Sequence, residues 1–397
     1  MRSISVQSID LYPVALPLVE KLRTSFGQEP FKAAVLVALH TDSGIVGWGE
    51  CSAEINPGYS YETIGTALHM LEEFLAPALR GKTLSSATEV PELLNGVRGH
   101  PLAKHALEAA VWDALAKAND MSLAQAFAAH LPAGHESRGY ANVGVSIGIQ
   151  PTVEDTCKII RKRLEQGYGR IKLKIKPGWD VELARGVRRE FPDILLMLDA
   201  NSAYTLDDAE HLRQLDEFNL LMLEQPLGYN DIYEHSKLQP QIETAICLDE
   251  SIHSVNDLKL ALELGACRIL NLKPARVSGY SASLEIYKLC VERNLPLWIG
   301  GLLETGVGRA ANLAFASLPG VTLPCDISAT DRYYNPDITE PPFVLGANST
   351  ITVPTGAGIG VEVKLERVEE AARRWQEQMP YGKQKITTQE RAWHLKT

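Results

Sequence analysis

No apolar run in the 397 residues approaches the roughly 18 needed to cross a bilayer, so a membrane-spanning helix is excluded. Cysteine is sparse and scattered: Cys51, Cys157, Cys247, Cys267, Cys290 and Cys325 form no CxxC pair. In a chain of this size that excludes a disulfide framework and predicts buried free thiols in a reducing compartment. The ten histidines include no HExxH or other ligand-like pair, which argues against zinc. Basic charge is also short, 39 Lys and Arg against 49 Asp and Glu, and no basic stripe appears. A nucleic-acid or anionic-membrane partner is therefore disfavoured. The glycine-rich "GAGIG" (356–360) has neither a following lysine nor a strand-to-helix setting, so it is no phosphate loop. The first residues, "MRSISVQSIDLYPVALPL", alternate like a strand and have no apolar block or small-residue cleavage site, so a cytoplasmic protein is expected.

What is present is ordinary in bulk: 45% hydrophobic and 22% charged residues predict a soluble globular chain of one large or two modest domains. The first 125 residues mix strands and helices. "AAVLVALHTDSGIVGWGE" reads as a hairpin turning at Thr41-Asp42-Ser43-Gly44. "TIGTALHMLEEFLAPALRG" reads as a helix closed by Gly81, and "LAKHALEAAVWDALAKAND" as a second, with Leu107, Ala110, Val111, Leu115 and Ala116 on one stripe. This predicts an α+β lobe over 1–125.

From about residue 140 the pattern changes to short apolar runs, each followed by a helix-length stretch. The runs are 142–149, 170–175, 194–200, 220–226, 245–251, 268–274, 296–301 and 321–326. Eight such units predict a parallel sheet closed into a barrel, placed here over 126–340. Residues 341–397 are expected to return to the N-terminal lobe; "LERVEEAARRWQEQ" forms a charged amphipathic helix and a polar, flexible tail follows.

Spacing singles out the chemistry. Lys174, Asp199, Glu224, Asp249 and Lys273 are separated by 25, 25, 25 and 24 residues, each at the end of an apolar run. One Asp after a strand is ordinarily a helix cap or turn residue. Five charged residues in register are another matter, because lysines cap poorly and independent caps share no period. The carboxyl ends of barrel strands are where such enzymes build their sites. Asp199, Glu224 and Asp249, converging there, could not all ionise without a cation, and an all-oxygen set selects Mg²⁺, with Mn²⁺ as substitute. Lys172 and Lys174 alternate with Ile171, Leu173 and Ile175, so both ammonium groups share one face. Such a pair is expensive in a core unless it faces a metal-carboxylate cluster. Burial and the neighbouring Lys172 would both push Lys174 towards neutrality, suiting it as a base, with Lys273 on the opposite side. Proton abstraction next to a substrate carboxylate is the partial reaction inferred.

At "KLK", "LDAN", "EQP", "LDES" and "NLKPARVSGY" the sequence resembles the enolase superfamily, muconate-lactonising-enzyme subgroup. The likeness continues through "GWGE" (47–50), "ALEAAVWDALAK" (106–117), "GGLLETGVGRAAN" (300–312) and "PTGAGIGV" (354–361). Within the subgroup it is most similar to the branch shared by o-succinylbenzoate synthases and N-succinylamino acid racemases. The resemblance implies a modified (β/α)₇β barrel with an α+β capping domain. It implies Mg²⁺ on Asp199, Glu224 and Asp249, with Asn201 and Glu250 in support. Lys174 is then the base, Lys172 holds the substrate carboxylate, and Lys273 acts from the opposite face. In the synthase reaction 2-succinyl-6-hydroxy-2,4-cyclohexadiene-1-carboxylate, of menaquinone synthesis, loses water to give an aromatic ring; in the racemase reaction Lys174 and Lys273 exchange roles as base and acid. Arg276 accompanies racemase activity in this branch by tuning the lysine, and Arg276 and Asn201 are also expected as substrate contacts. Homo-oligomers are common in the family, and one is expected by analogy.

Relatives of other kinds are disfavoured. "LWIGGLLETG" has no histidine for the mandelate-racemase dyad, and "CDISATD" lacks the Asp-x-Asp of dipeptide epimerases. Ala275 and Ser278 replace glycines common in this turn, and Glu54 stands where relatives are often apolar. Specificity is expected from the capping loops 23–30 and 53–60, with Phe26 and Tyr59 as pocket walls, and Ser146 is a further candidate substrate contact. A muconate-type cycloisomerase and a non-catalytic carboxylate sensor are the competing readings.

Overall fold

The computed structural model describes residues 2–20 and 31–378, and of 23–24 and 27–28 the backbone alone. The expected pocket wall Phe26 and the expected flexible tail beyond residue 378 lie outside the described residues.

The N-terminal lobe is built on an antiparallel sheet of β1 (Ile4–Pro17), β2 (Phe31–Thr41), β3 (Val46–Cys51) and β4 (Thr83–Leu84), in the order β3-β2-β1-β4. The expected hairpin joins β2 to β3, with Gly44 at φ +81° in its turn. The helix expected to be closed by Gly81 begins at a Thr63 capping box and passes through a π-helical turn at Leu71–Leu75; Gly81 ends it at φ +75°.

Helix α1 (Pro101–Ala118) departs from the single-stripe expectation: every residue except Lys104 and Lys117 is buried. Its packing explains why. Gly47 and Gly49 of β3 let the helix backbone lie on the sheet, since a Cβ on either would come within about 2 Å of a helix carbonyl, 2.1 Å from Ala110 O or 1.9 Å from Ala106 O. Polar residues on α1 then serve as internal caps. Asp113 accepts from the Trp48 and Ile359 amides at 2.7 and 2.8 Å.

Seven parallel strands follow in sequential order: β5 (Val145–Ile147), β6 (Arg170–Lys174), β7 (Leu195–Asp199), β8 (Leu223–Glu224), β9 (Ile246–Leu248), β10 (Ile269–Leu272) and β11 (Leu297–Ile299). Helices between them include α2 (Val153–Glu165), α3 (Val181–Glu190), α4 (Val255–Leu264) and α5 (Tyr280–Arg293), and α6 (Gly306–Ala316) follows β11. The eighth run, 321–326, is not a regular strand, because Pro324 cannot donate to a ladder. It closes the ring all the same: Asp326 N donates to Ile299 O at 2.9 Å, and Gly144 N to Cys325 O at 2.8 Å. The run 142–149 also divides. Tyr140–Asn142 pairs antiparallel with Thr350–Thr352, and β5 begins after Gly144, where a Cβ would lie 2.4 Å from the Arg170 guanidinium. The result is a modified (β/α)₇β barrel. After it, α7 (Leu365–Gln378) packs against β1. Among the described residues no helix is long and apolar enough to cross a membrane, and all six cysteines are free and buried.

One capping contact bears directly on the barrel. Glu108 of α1 accepts from Ser281 N at 3.0 Å and from Tyr280 N, so a carboxylate of the lobe caps the N-terminus of α5. Burial, opposed by those hydrogen bonds, pushes the Glu108 carboxyl up to about 7. Gly279 makes the approach possible: its φ is +142° and a Cβ there would lie 1.8 Å from Glu108 Oε2. Gly279→Ala should therefore cost about 2–4 kcal/mol of stability; denaturant unfolding within about 0.5 kcal/mol of wild type would show that the turn has room.

Candidate active site

Register builds the site. Lys174 pairs with Asp199 and Asp199 with Glu224, so these three stand level at the ends of β6, β7 and β8. Asp249 and Lys273 follow immediately after β9 and β10. Lys172 and Ser146, paired with each other, sit one layer deeper. As second and sixth strands of an eight-part ring, β6 and β10 place Lys174 and Lys273 on opposite walls. One cavity of about 830 Å³, its mouth included, is lined by both together with Lys172, Asn201, Ser146, Tyr59 and Asp326.

Each lysine is held by carboxylates. Lys174 Nζ donates to Asp199 Oδ2 at 2.6 Å and Asn201 Oδ1 at 2.7 Å. Asn201 in turn donates to Glu250 Oε1 at 2.9 Å. Lys172 Nζ lies 3.0 Å from Asp199, 2.9 Å from Glu224 and 2.7 Å from Asp326, and 5.0 Å from the centre of the Trp298 ring. Burial opposes its charge, but Asp326, Glu224 and Asp199 raise the ammonium well above the ordinary lysine range. Lys172, the cation expected to act on Lys174, is thus itself compensated by three carboxylates. Lys273 Nζ is 2.9 Å from Asp249 Oδ2 and bonds the Tyr59 hydroxyl.

Two candidates sit differently from expectation. Tyr59 lines the cavity, but its hydroxyl also joins Lys273 to Arg276. Arg276, expected to bind substrate, is buried beside Asp249 Oδ1 and does not line the lysine cavity. It reaches Lys273 through two shared partners, Asp249 and Tyr59. Ser146 Oγ donates to Asp326 Oδ2 at 2.9 Å.

The carboxylates stand on adjacent strand ends but do not close into a cage: among the described residues no three acidic, histidine or cysteine side chains are grouped to hold a metal ion. The reason is visible in the contacts, for Lys172 satisfies Asp199 and Glu224 while Lys273 and Arg276 satisfy Asp249. The donor set nevertheless suits a hard divalent cation. Burial and then the Asp199 charge push Glu224 up to about 8, while burial and the Asp249 charge raise Glu250, whose Oε2 is buried without a partner. Such mutual repulsion is what a bound cation relieves. Arg276 and Lys273 overcome burial to hold Asp249 well below the carboxylate range, and Lys174 and Lys172 lower Asp199 against its burial.

Sequence reasoning missed Asp326, Arg170 and Asn271. Asp326 is the third anchor of Lys172 and lies 2.7 Å from Arg170 Nη2. Asn271 donates to Glu224 Oε1 at 2.7 Å. Asp326 follows Lys273 by about two β/α units, a signal that the irregular eighth segment obscures. Arg170, two residues before Lys172 on the same strand, shares its face by the alternation that pairs the lysines, a signal present in the sequence and not used.

Known proteins match this arrangement closely. Residues 9–127 match the mandelate racemase/muconate lactonizing enzyme N-terminal domain, and 155–368 match the enolase C-terminal domain-like family. The chain is 47% identical over 367 residues to the o-succinylbenzoate synthase of Geobacillus kaustophilus, covering 92% of this chain and 96% of that one. It is 46% identical over 366 residues to the N-succinylamino acid racemase of an Amycolatopsis species, covering 92% and 97%. A solved structure of an enolase-superfamily member from Listeria innocua superposes with TM-score 0.88 at 40% identity, covering 93% of this chain and 97% of that one.

Proposed function

The chain belongs to the mandelate racemase/muconate lactonizing enzyme family of the enolase superfamily, and from that premise we propose that it is an o-succinylbenzoate synthase that also racemises N-succinylamino acids. The observation that carries this reading is the pair Lys174 and Lys273 on opposite walls of one cavity, with carboxylates between them. The family is metal-dependent. Asp199, Glu224 and Asp249 would hold Mg²⁺, or Mn²⁺ in its place, and the ion would supply Lewis-acid stabilisation of charge on the substrate carboxylate.

The protein groups divide the remaining work. Lys174, positioned by Asp199 and Asn201, takes the proton from the carbon next to the substrate carboxylate. In dehydration the C–H electron pair becomes a ring double bond, the C–O bond at the hydroxyl-bearing carbon breaks, and the hydroxyl leaves as water with the proton that Lys174 took. No second base is required: Lys273 stays an ammonium and supports the developing negative charge. In racemisation Lys273 instead returns a proton to the opposite face. Lys172, braced by Asp326, orients the carboxylate from below.

The test is purified protein with Mg²⁺, assayed for loss of the cyclohexadiene's absorbance and for α-deuterium uptake by N-succinylamino acids in D₂O. Fast dehydration with slower exchange is expected. Ligand binding without either reaction would leave a carboxylate sensor. Asp249→Asn, which preserves shape beside Lys273 and Arg276, should weaken Mg²⁺ at least about 100-fold by calorimetric titration, and an unchanged isotherm would remove Asp249 from the ligand set.

A further inference from the structure

At its outer edge the lysine cavity is walled by Leu18, Glu20, Arg332 and Tyr333. Arg332 ends the helical turn Thr330–Arg332, just beyond Asp326, and is only 9% exposed. Its guanidinium is poorly used. Nη2 reaches Ser146 O at 3.4 Å, Nη1 is 3.4 Å from Glu20 Oε2, and the buried Nε has no partner among the described residues. Glu20 is engaged elsewhere, by Lys162 at 3.0 Å and by Arg163. Arg163 is itself buried, with its Nε unpartnered, in the adjoining cavity that Arg332 also lines, where Asp331 is the other acidic group. Three cations thus share one half-exposed carboxylate. A buried guanidinium with an unused edge on a cavity wall is costly unless an anion completes it. A carboxylate is the planar anion such a fork fits.

We infer that Arg332 is the seat for the distal carboxylate of a dicarboxylate substrate, the free end of a succinyl chain whose other end bears the reacting carbon. This rests on the α-proton chemistry proposed above and adds what selects the substrate. The reacting carboxylate lies at the floor, near Lys172. The succinyl chain runs outward over Ser146, whose strand neighbour is Lys172, to the rim where Arg332 waits. Glu20 competes for the same guanidinium, so it sets how strongly the distal carboxylate is held.

The test compares N-succinylphenylalanine with N-butyrylphenylalanine, which has the same chain length without the terminal carboxylate, by α-deuterium exchange. Wild type should favour the succinyl substrate about 100-fold in kcat/KM, mostly through KM. Arg332→Gln should erase that preference, Arg332→Lys should keep part of it, and Glu20→Gln should lower KM for the succinyl substrate. An equal loss on both substrates in Arg332→Gln, or no preference in wild type, overturns the assignment. If Arg332→Gln does not fold, an unchanged preference in Arg332→Lys together with an unchanged KM in Glu20→Gln does so. Wild type that neither exchanges these substrates nor dehydrates the cyclohexadiene sinks the α-proton reading itself; exchange of both at equal rates sinks only the carboxylate seat.

Discussion

Lys174→Ala should lower dehydration, and α-deuterium exchange of the enantiomer whose proton faces Lys174, by at least about 1,000-fold, the range of a positioned general base, while Mg²⁺ affinity stays within a few-fold of wild type. The two halves of that expectation come from separate contacts. Lys174 is not a carboxylate donor, so no ligand is lost with it. Its Nζ is fixed at 2.6 Å from Asp199 and 2.7 Å from Asn201, and both partners keep other bonds when it goes: Asp199 to Lys172 and to the Asn201 amide, Asn201 to Glu250. The site therefore has reason to persist around the gap. A merely structural lysine would behave in the opposite way, with stability and metal affinity falling and the residual rate tracking the folded fraction. Normal turnover in the folded variant would end its assignment as base.

Periodicity made the fold legible, and local chemistry hid the exceptions. The 25-residue spacing located β6 to β10 and the charged residue at each strand end, because a β/α unit of constant length puts every such end on one face of the barrel. The same logic failed at 321–326, where Pro324 leaves the ring closed by single hydrogen bonds without a ladder, and with it went Asp326. Helix α1 misled for a different reason. Its alanines fit any face, and only the glycines of β3 reveal how closely a sheet covers the side expected to be exposed. Charge compensation was the least legible feature. A sequence shows that Lys172 neighbours Lys174, whereas the three carboxylates that neutralise Lys172 come from β7, β8 and the eighth segment.

Lys273→Ala should separate the two reactions in a way Lys174→Ala cannot. If Lys273 delivers or removes a proton at the face opposite Lys174, interconversion of enantiomers falls by at least about 1,000-fold. Lys174 still exchanges the α-proton of the one enantiomer that presents it, so deuterium enters that substrate with retention. Dehydration needs no proton from the Lys273 side, only positive charge near the developing anion, so its loss should be smaller, about 100-fold, as when one electrostatic donor is removed. The environment supports this division. Lys273 is bound to Asp249 and Tyr59, and Arg276 shares both partners, so its charge is embedded in a network that can hold an ammonium without a substrate proton. Equal losses in both reactions would mean that Lys273 serves only as a charge. Retained interconversion of enantiomers would mean that the second proton comes from another group, and Tyr59, whose hydroxyl touches Lys273 on the cavity wall, is the one the structure puts next in line.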